Sequence, residues 1–173
     1  MTIATSPESA TAGFTGAVAL NLAALLSHDS STSALLIDAD LQERTLSKVL
    51  GCQHQKGLTE ALRDPTDADG IQKLKGSNLN FLPAGQLEDL RKLAFVGEAW
   101  ETLHTNLARR FGIILLHSPG ILDSRETVVL GAKSDHSLLV AVAGATEKLL
   151  LGQAKSEAHS IHSVPVGVIL LKP

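Results

Sequence analysis

Tyrosine is absent from these 173 residues, cysteine and tryptophan occur once each, and aromatics make up 3% of the chain. A lone Cys52 excludes an internal disulfide framework and fits a reducing compartment. Excess charge of either sign is also missing. Lys+Arg total 15 against 18 Asp+Glu, a formal net charge of -3. Bulk charge therefore supplies no attraction to nucleic acid or to anionic lipid. Long apolar runs are missing too. The most apolar stretch near the N-terminus, Ala17 to Leu26, contains Asn21 and is only ten residues long, whereas a membrane span needs about 20. The opening MTIATSPES has no basic region leading into an apolar one, so no signal peptide is expected. These absences predict a cytoplasmic protein without nucleic-acid binding or direct membrane insertion.

What is present is average for a globular protein, with 44% hydrophobic and 19% charged residues. The length predicts one domain, residues 1–173. Short β-type runs alternate with helical stretches. Thr2 to Thr5 is a candidate strand, followed by a Ser/Thr/Ala/Gly loop from Ser6 to Thr15. Gly16 to Ser27 is apolar nearly all round and predicts a helix buried on more than one side. Ala34 to Asp38 is a continuous apolar run closed by a carboxylate, the pattern of a central parallel strand. Leu46 to Leu50 and Leu58 to Leu62 suggest short helices. Leu79 to Leu82 suggests a strand, and Leu87 to Arg110 a long helical stretch broken near Val96-Gly97. Gly112 to Leu116, Ser137 to Ala143 and Val166 to Leu171 are further strands, with a helix from Glu147 to His162. Asp64 to Gly76 is expected to be a surface connection. Strands separated by helices predict a three-layer α/β/α fold on a mostly parallel sheet.

In such a sheet, ligands bind beyond the carboxyl ends of the strands. The residues there are the loop after the first strand, Asp38 and Asp40, and His117 with Ser118-Pro119. Each has a structural reading. Asp38 and Asp40 can serve backbone N–H groups of neighbouring loops, and His117 can be a core histidine bonded to Asp38 or to the loop. Ser118-Pro119 suits a turn, because no base-plus-orienter pattern accompanies it. Asp123, with Arg125 and Glu126, is expected to cap a helix. His159 and His162 share a helix face by spacing, but no further ligand is placed near them in sequence. Leu149-Leu150-Leu151 is expected in the core. Trp100, Phe95 and Phe111 suit either the core or a partner surface.

The order of motifs is more specific than any one of them. Leu35-Leu36-Ile37-Asp38-Ala39-Asp40-Leu41 is followed by Thr45-Leu46 and by Gly51. Leu82-Pro83-Ala84-Gly85 comes next, then Ile113 to Pro119 with Leu122-Asp123, and finally Val166 to Leu170. Over nearly its whole length this chain resembles the cytoplasmic domain of bacterial tyrosine kinases, the MinD/ParA-like P-loop ATPase branch found in capsule and exopolysaccharide synthesis. The resemblance implies a P-loop NTPase-like fold. It also marks Gly13, Thr15, Gly16, Asp38, Asp40 and His117 as the positions of a relic nucleotide site.

Those positions depart from the family pattern. A P-loop cradles phosphates with backbone N–H groups, bridges them with a lysine and holds Mg²⁺ with a hydroxyl. Aligned on Asn21-Leu22-Ala23, the lysine position falls on Thr15 and the hydroxyl position on Gly16, in a loop that reads as lengthened. The first lysine of the chain is Lys48. The family's aspartate at the end of the Walker B strand is replaced by His117, and imidazole is a poor substitute for a carboxylate toward a hard cation. Without a lysine, Asp38 and Asp40 would repel a triphosphate. Like charges about 4 Å apart cost about 1 kcal/mol in water and about 4 kcal/mol at an effective dielectric of 20. The last strand ends Leu170-Leu171-Lys172-Pro173, without the asparagine that contacts the base in many relatives. The resemblance implies phosphorylation of tyrosines in the kinase's own C-terminal tail, and this sequence has no tyrosine. Phe14 and the loop are expected to fill the vacated pocket.

The resemblance with these losses implies a catalytically inactive domain with no catalytic residues, metal or cofactor. It would act as a binding partner in exopolysaccharide synthesis and export. The expected partner is a membrane polysaccharide co-polymerase, which would recruit it to the inner membrane, or a copy of itself in a homo-oligomer. Two alternatives stand beside this. One is an active ATPase or tyrosine kinase that uses ATP and Mg²⁺, with Asp38 and Asp40 on the metal and a neighbour's lysine supplying charge. The other is a MinD/ParA-like positioning protein.

Overall fold

The computed structural model describes residues 1–8, 11–28, 33–66, 69–86 and 96–172. The elements follow in the order β1 (Thr2–Thr5), α1 (Ala12–Leu26), β2 (Ala34–Asp38), α2 (Thr45–Val49), α3 (Leu58–Arg63), β3 (Gln72–Lys73) and β4 (Leu79–Leu82). They continue with α4 (Val96–Ala108), β5 (Ile113–His117), α5 (Arg125–Gly131), β6 (His136–Val142), α6 (Lys148–Ser160) and β7 (Val164–Leu171). Among the described residues one seven-stranded sheet runs β3-β4-β2-β5-β1-β6-β7. Every neighbouring pair is parallel except β3 with β4.

The continuous apolar runs occupy the middle of this sheet because both of their faces are covered. Leu35 and Ile37 of β2 join Ile3, Leu82, Ile114 and Leu116 against Trp100, Leu103 and Leu107 of α4. The alternate residues, Leu36 of β2 with Ala4, Phe81 and Leu115, meet Ala19 and Ala23 of α1 and Leu46 of α2 on the opposite face. A third cluster sets Ala154 and Ala158 of α6 on Leu139 of β6. This is the expected three-layer arrangement. Register decides what reaches the ligand-binding edge: Asp38 pairs with His117 at the carboxyl ends of β2 and β5.

Several details differ from the sequence reading. The first helix starts at Ala12 rather than Gly16, because packing of the buried Thr15 and Gly16 outweighs the low helix propensity of Gly13 and Gly16. The connection over residues 64–76 contains β3, an antiparallel edge strand too short to show a period. The long helix is seen as α4, and the rest of that expected stretch, 87–95, lies outside the described residues, Phe95 included. Ser124, not Asp123, caps α5, accepting a hydrogen bond from the Thr127 amide at 3.2 Å. Trp100 and Phe111 are core. Leu149 is not, being 70% exposed, and Leu150 and Leu151 are half-buried. Edge strand β7 alternates as well, with Val164, Val166, Val168 and Leu170 on its open face.

His104 of α4 is half-buried, its ring centroid 6.0 Å from that of Trp100. Burial, and after it the nearby N-terminal ammonium, push its pKa below the ordinary histidine value. The native state thus releases a proton that the unfolded chain keeps. The contribution is whole above the unfolded value of about 6.5 and is lost as pH falls through the lower folded value. Denaturant titrations stepped from about pH 8 to about pH 5 should show stability declining across this window. His104→Gln should flatten the decline, and an unchanged slope would rule His104 out as its source.

Candidate functional site

The site is built where β1, β2 and β5 end. The loop after β1 is stitched to the segment after β5. The Thr5 hydroxyl donates to the Pro119 carbonyl at 2.6 Å, and the amides of Ile121 and Leu122 donate to the carbonyls of Ser6 and Pro7 at 2.9 and 3.1 Å. Gly120 permits the close approach, because a Cβ there would lie 2.3 Å from the Glu8 carbonyl carbon. The Glu8 carbonyl oxygen then accepts from the Ser6 hydroxyl at 2.7 Å, the Thr11 amide at 3.3 Å and the Thr11 hydroxyl at 3.2 Å. Two hydroxyls and one amide of this loop are thus bonded to the chain's own carbonyl.

Four of the six marked positions, Gly16, Asp38, Asp40 and His117, are brought together. His117 and Asp38 are fully buried, with His117 Nδ1 3.1 Å from Asp38 Oδ1. With Asp38 ionised, Nδ1 carries the proton and donates it. The other edge of the imidazole covers Gly16, where a Cβ would lie 3.3 Å from His117 Nε2 and 3.3 Å from a Leu46 methyl. Gly16 is thus roofed by imidazole and leucine. Thr15 is buried within α1, its hydroxyl turned back to the Thr11 carbonyl at 3.3 Å. Gly13 is exposed and a Cβ there would meet nothing within 4 Å, so it is not drawn into the cluster. Phe14 corrects the sequence reading outright. It is 46% exposed, so the pocket is filled by His117 and Leu46 instead.

Both carboxylates are occupied by neighbours. Asp38 Oδ2 accepts from the Ser47 amide and hydroxyl, each at 2.7 Å, and Oδ1 accepts from the Asp40 amide at 3.3 Å. The Ser47 amide is one of the orphan donors in the first turn of α2, so Asp38 caps that helix from a neighbouring strand. Asp40 accepts from the Glu43 amide at 3.0 Å and from the Thr45 hydroxyl. Ser47 in turn accepts from the Ala84 amide at 2.9 Å, which ties the Leu82 to Gly85 turn to Asp38. Burial, and then the charge of Asp38, push the nearby Cys52 thiol above its ordinary range. Lys48, the first lysine in the chain, extends to Glu43 at 3.3 Å.

Ser47, Leu46 and the Glu8 carbonyl were not foreseen as site components. Leu46 and Ser47 follow the second aspartate in a short helix, and only the fold shows that this helix leans over Gly16. A backbone carbonyl leaves no mark in sequence. For His159 and His162, no group of three or more metal-ligating side chains forms among the described residues.

No family model matches the chain. It is 26% identical over 153 residues to the tyrosine-protein kinase YwqD of Bacillus subtilis, covering 88% of this chain and 64% of that protein. The chain thus spans slightly under two thirds of that relative. It superimposes on the kinase domain of Escherichia coli tyrosine kinase ETK with a TM-score of 0.85 at 21% identity, covering 99% of this chain and 66% of that one. The chain is similar in sequence and in fold to bacterial tyrosine kinases. The same P-loop NTPase-like fold recurs in the cell division ATPase MinD of Pyrococcus furiosus, with a TM-score of 0.78 at 20% identity over 98% of this chain and 70% of that one. Asp38 and Asp40 lie at and just beyond the end of β2, and His117 at the end of β5 beside Asp38. No helix among the described residues is long and apolar enough to cross a membrane.

Proposed function

We propose that this chain is a single-domain, catalytically inactive relative of the bacterial tyrosine kinases that serves as a binding and regulatory partner in exopolysaccharide synthesis and export. One observation carries the reading: the imidazole of His117 lies on Gly16 and is held there by Asp38. A Mg²⁺–triphosphate does not fit these residues. The metal's place is covered, both strand-end carboxylates are engaged, and the Glu8 carbonyl faces donors that phosphate would need. Phosphoryl transfer depends on positioning and charge neutralisation, and the groups that supply them are replaced together.

The consequence is a change in how the domain is ordered. In an ATPase, a ligand shifts the population between states of the loop. Here hydrogen bonds within the chain hold the loops after β1, β2 and β5 in one arrangement. A partner meets a preformed surface, so less ordering is needed on binding. The partner is a membrane polysaccharide co-polymerase or a second copy of this chain, and the domain works in the cytoplasm, drawn to the inner membrane by that contact.

Calorimetric titration of the chain with ATP in the presence of Mg²⁺ tests the reading. No binding heat is expected. Saturable binding in the micromolar range, or transfer of phosphate to a tyrosine-bearing partner that Asp38→Asn abolishes, would overturn it.

A further inference from the structure

An open groove of about 890 Å³ runs along one flank of α6, apart from the covered His117 site. Its walls come from three parts of the chain: Glu8 after β1, Leu122 and Asp123 after β5, and Lys148, Leu149 and Glu157 on α6. The groove presents aliphatic surface to solvent, since Leu149 is 70% and Leu122 36% exposed. Exposed leucines gathered in a concavity mark contact sites more often than scattered ones do. Its charge is equally one-sided, with three carboxylates against the single ammonium of Lys148.

We propose that this groove docks a cationic amphipathic peptide segment of a partner protein. Its aliphatic side would cover Leu122 and Leu149, and its lysines or arginines would face Glu8, Asp123 and Glu157. The sign of the charge selects this occupant. An anionic membrane surface or a nucleic acid would be repelled by the same carboxylates. A second copy meeting the groove about a two-fold axis would set like charges against each other. The aliphatic floor separates the occupant from a simple polycation, which gains nothing from Leu122 or Leu149. The Leu122 amide is bonded to the Pro7 carbonyl at 3.1 Å, so a docked segment would also touch the loop after β1. The proposal does not depend on loss of nucleotide binding, because an active ATPase could carry the same groove.

The test uses the full chain and a fluorescein-labelled amphipathic Lys/Leu peptide, read by anisotropy. Saturable binding that weakens with added salt is expected. Leu149→Ser, and separately the pair Glu8→Lys with Glu157→Lys, should each weaken it about tenfold or more. All three residues lie outside the buried Asp38 network, and circular-dichroism melts establish that the variants fold. A Glu/Leu peptide of the same pattern should not bind, and an oligolysine without leucines should bind at least about tenfold more weakly. On the wild-type chain, amide shifts induced by the peptide should concentrate at residues 122–123 and 148–157. Equal affinity for oligolysine, unchanged affinity in the folded variants, or shifts centred elsewhere would overturn the proposal. So would Leu149-dependent binding to anionic vesicles or Leu149-dependent dimerisation, each of which gives the groove a different occupant. ATP binding by the chain would sink the preceding functional reading and leave this one standing.

Discussion

Asp38→Ala is expected to lower the free energy of unfolding by about 3–5 kcal/mol, the range for removing one partner from a buried charged network. Asp38 is fully buried and receives the Ser47 amide, the Ser47 hydroxyl, the Asp40 amide and His117 Nδ1. Truncation strands these groups without admitting water freely, and each buried unsatisfied donor costs about 1–3 kcal/mol. The network also joins β2, β5, α2 and the turn after β4, so the loss spreads across the ligand-binding edge of the sheet. Asp38→Asn keeps the shape and one acceptor and should cost less. Urea unfolding of the three proteins measures the difference. A loss below about 1 kcal/mol for the alanine variant would show that the carboxylate is not what holds this edge together.

The second large effect is a gain. The triple variant Thr15→Lys, Gly16→Ser, His117→Asp is expected to bind Mg²⁺–ATP at least about 100-fold more tightly than the wild-type chain, about 2.7 kcal/mol. Each change supplies one missing part: the cation for the phosphates, the hydroxyl for the metal and the carboxylate at the end of β5. Singly they should do little. Thr15→Lys leaves imidazole over the metal position. Gly16→Ser places a Cβ 3.3 Å from His117 Nε2 and from Leu46, tight enough to cost stability. His117→Asp brings a second carboxylate beside Asp38 with no cation between them. Combining the last two should relieve both problems, so their stability effects should couple favourably by about 0.5–3 kcal/mol in a double-mutant cycle. A triple variant that folds yet ignores ATP would show that the Glu8 carbonyl and the loop, rather than these three side chains, exclude the nucleotide.

Much of the fold was legible because its signals are local. Leu35-Leu36-Ile37, short and closed by Asp38, reads as a strand covered on both faces, and the alternation of such runs with helices implies a parallel sheet. The start of α1 differs because Gly13 and Gly16 resemble a loop in sequence, whereas Thr15, Gly16 and Ala19 are buried in the fold as part of a helix. Leu149 was assigned to the core because periodicity reports apolarity and not which flank of a helix lacks a neighbour. Ser124 displaced Asp123 as a cap because both are good capping residues, and backbone geometry at one position chooses between them.

Sequence alone determined that no lysine precedes Lys48, and that a run of apolar residues closes on Asp38 with Asp40 just beyond it. These are matters of composition and order, and no folding event could supply the missing cation from residues upstream. What replaces the ligand was decided only in three dimensions. His117, Gly16 and Leu46 are distant in the chain and become neighbours because β5 pairs with β2 in a register that sets His117 beside Asp38. The loop after β1 packs on the segment after β5 only because Gly120 has no side chain to hold them apart. Hydrogen bonds and van der Waals contacts act over a few ångströms, so which groups meet depends on strand register and loop closure, quantities that exist only after the sheet has formed.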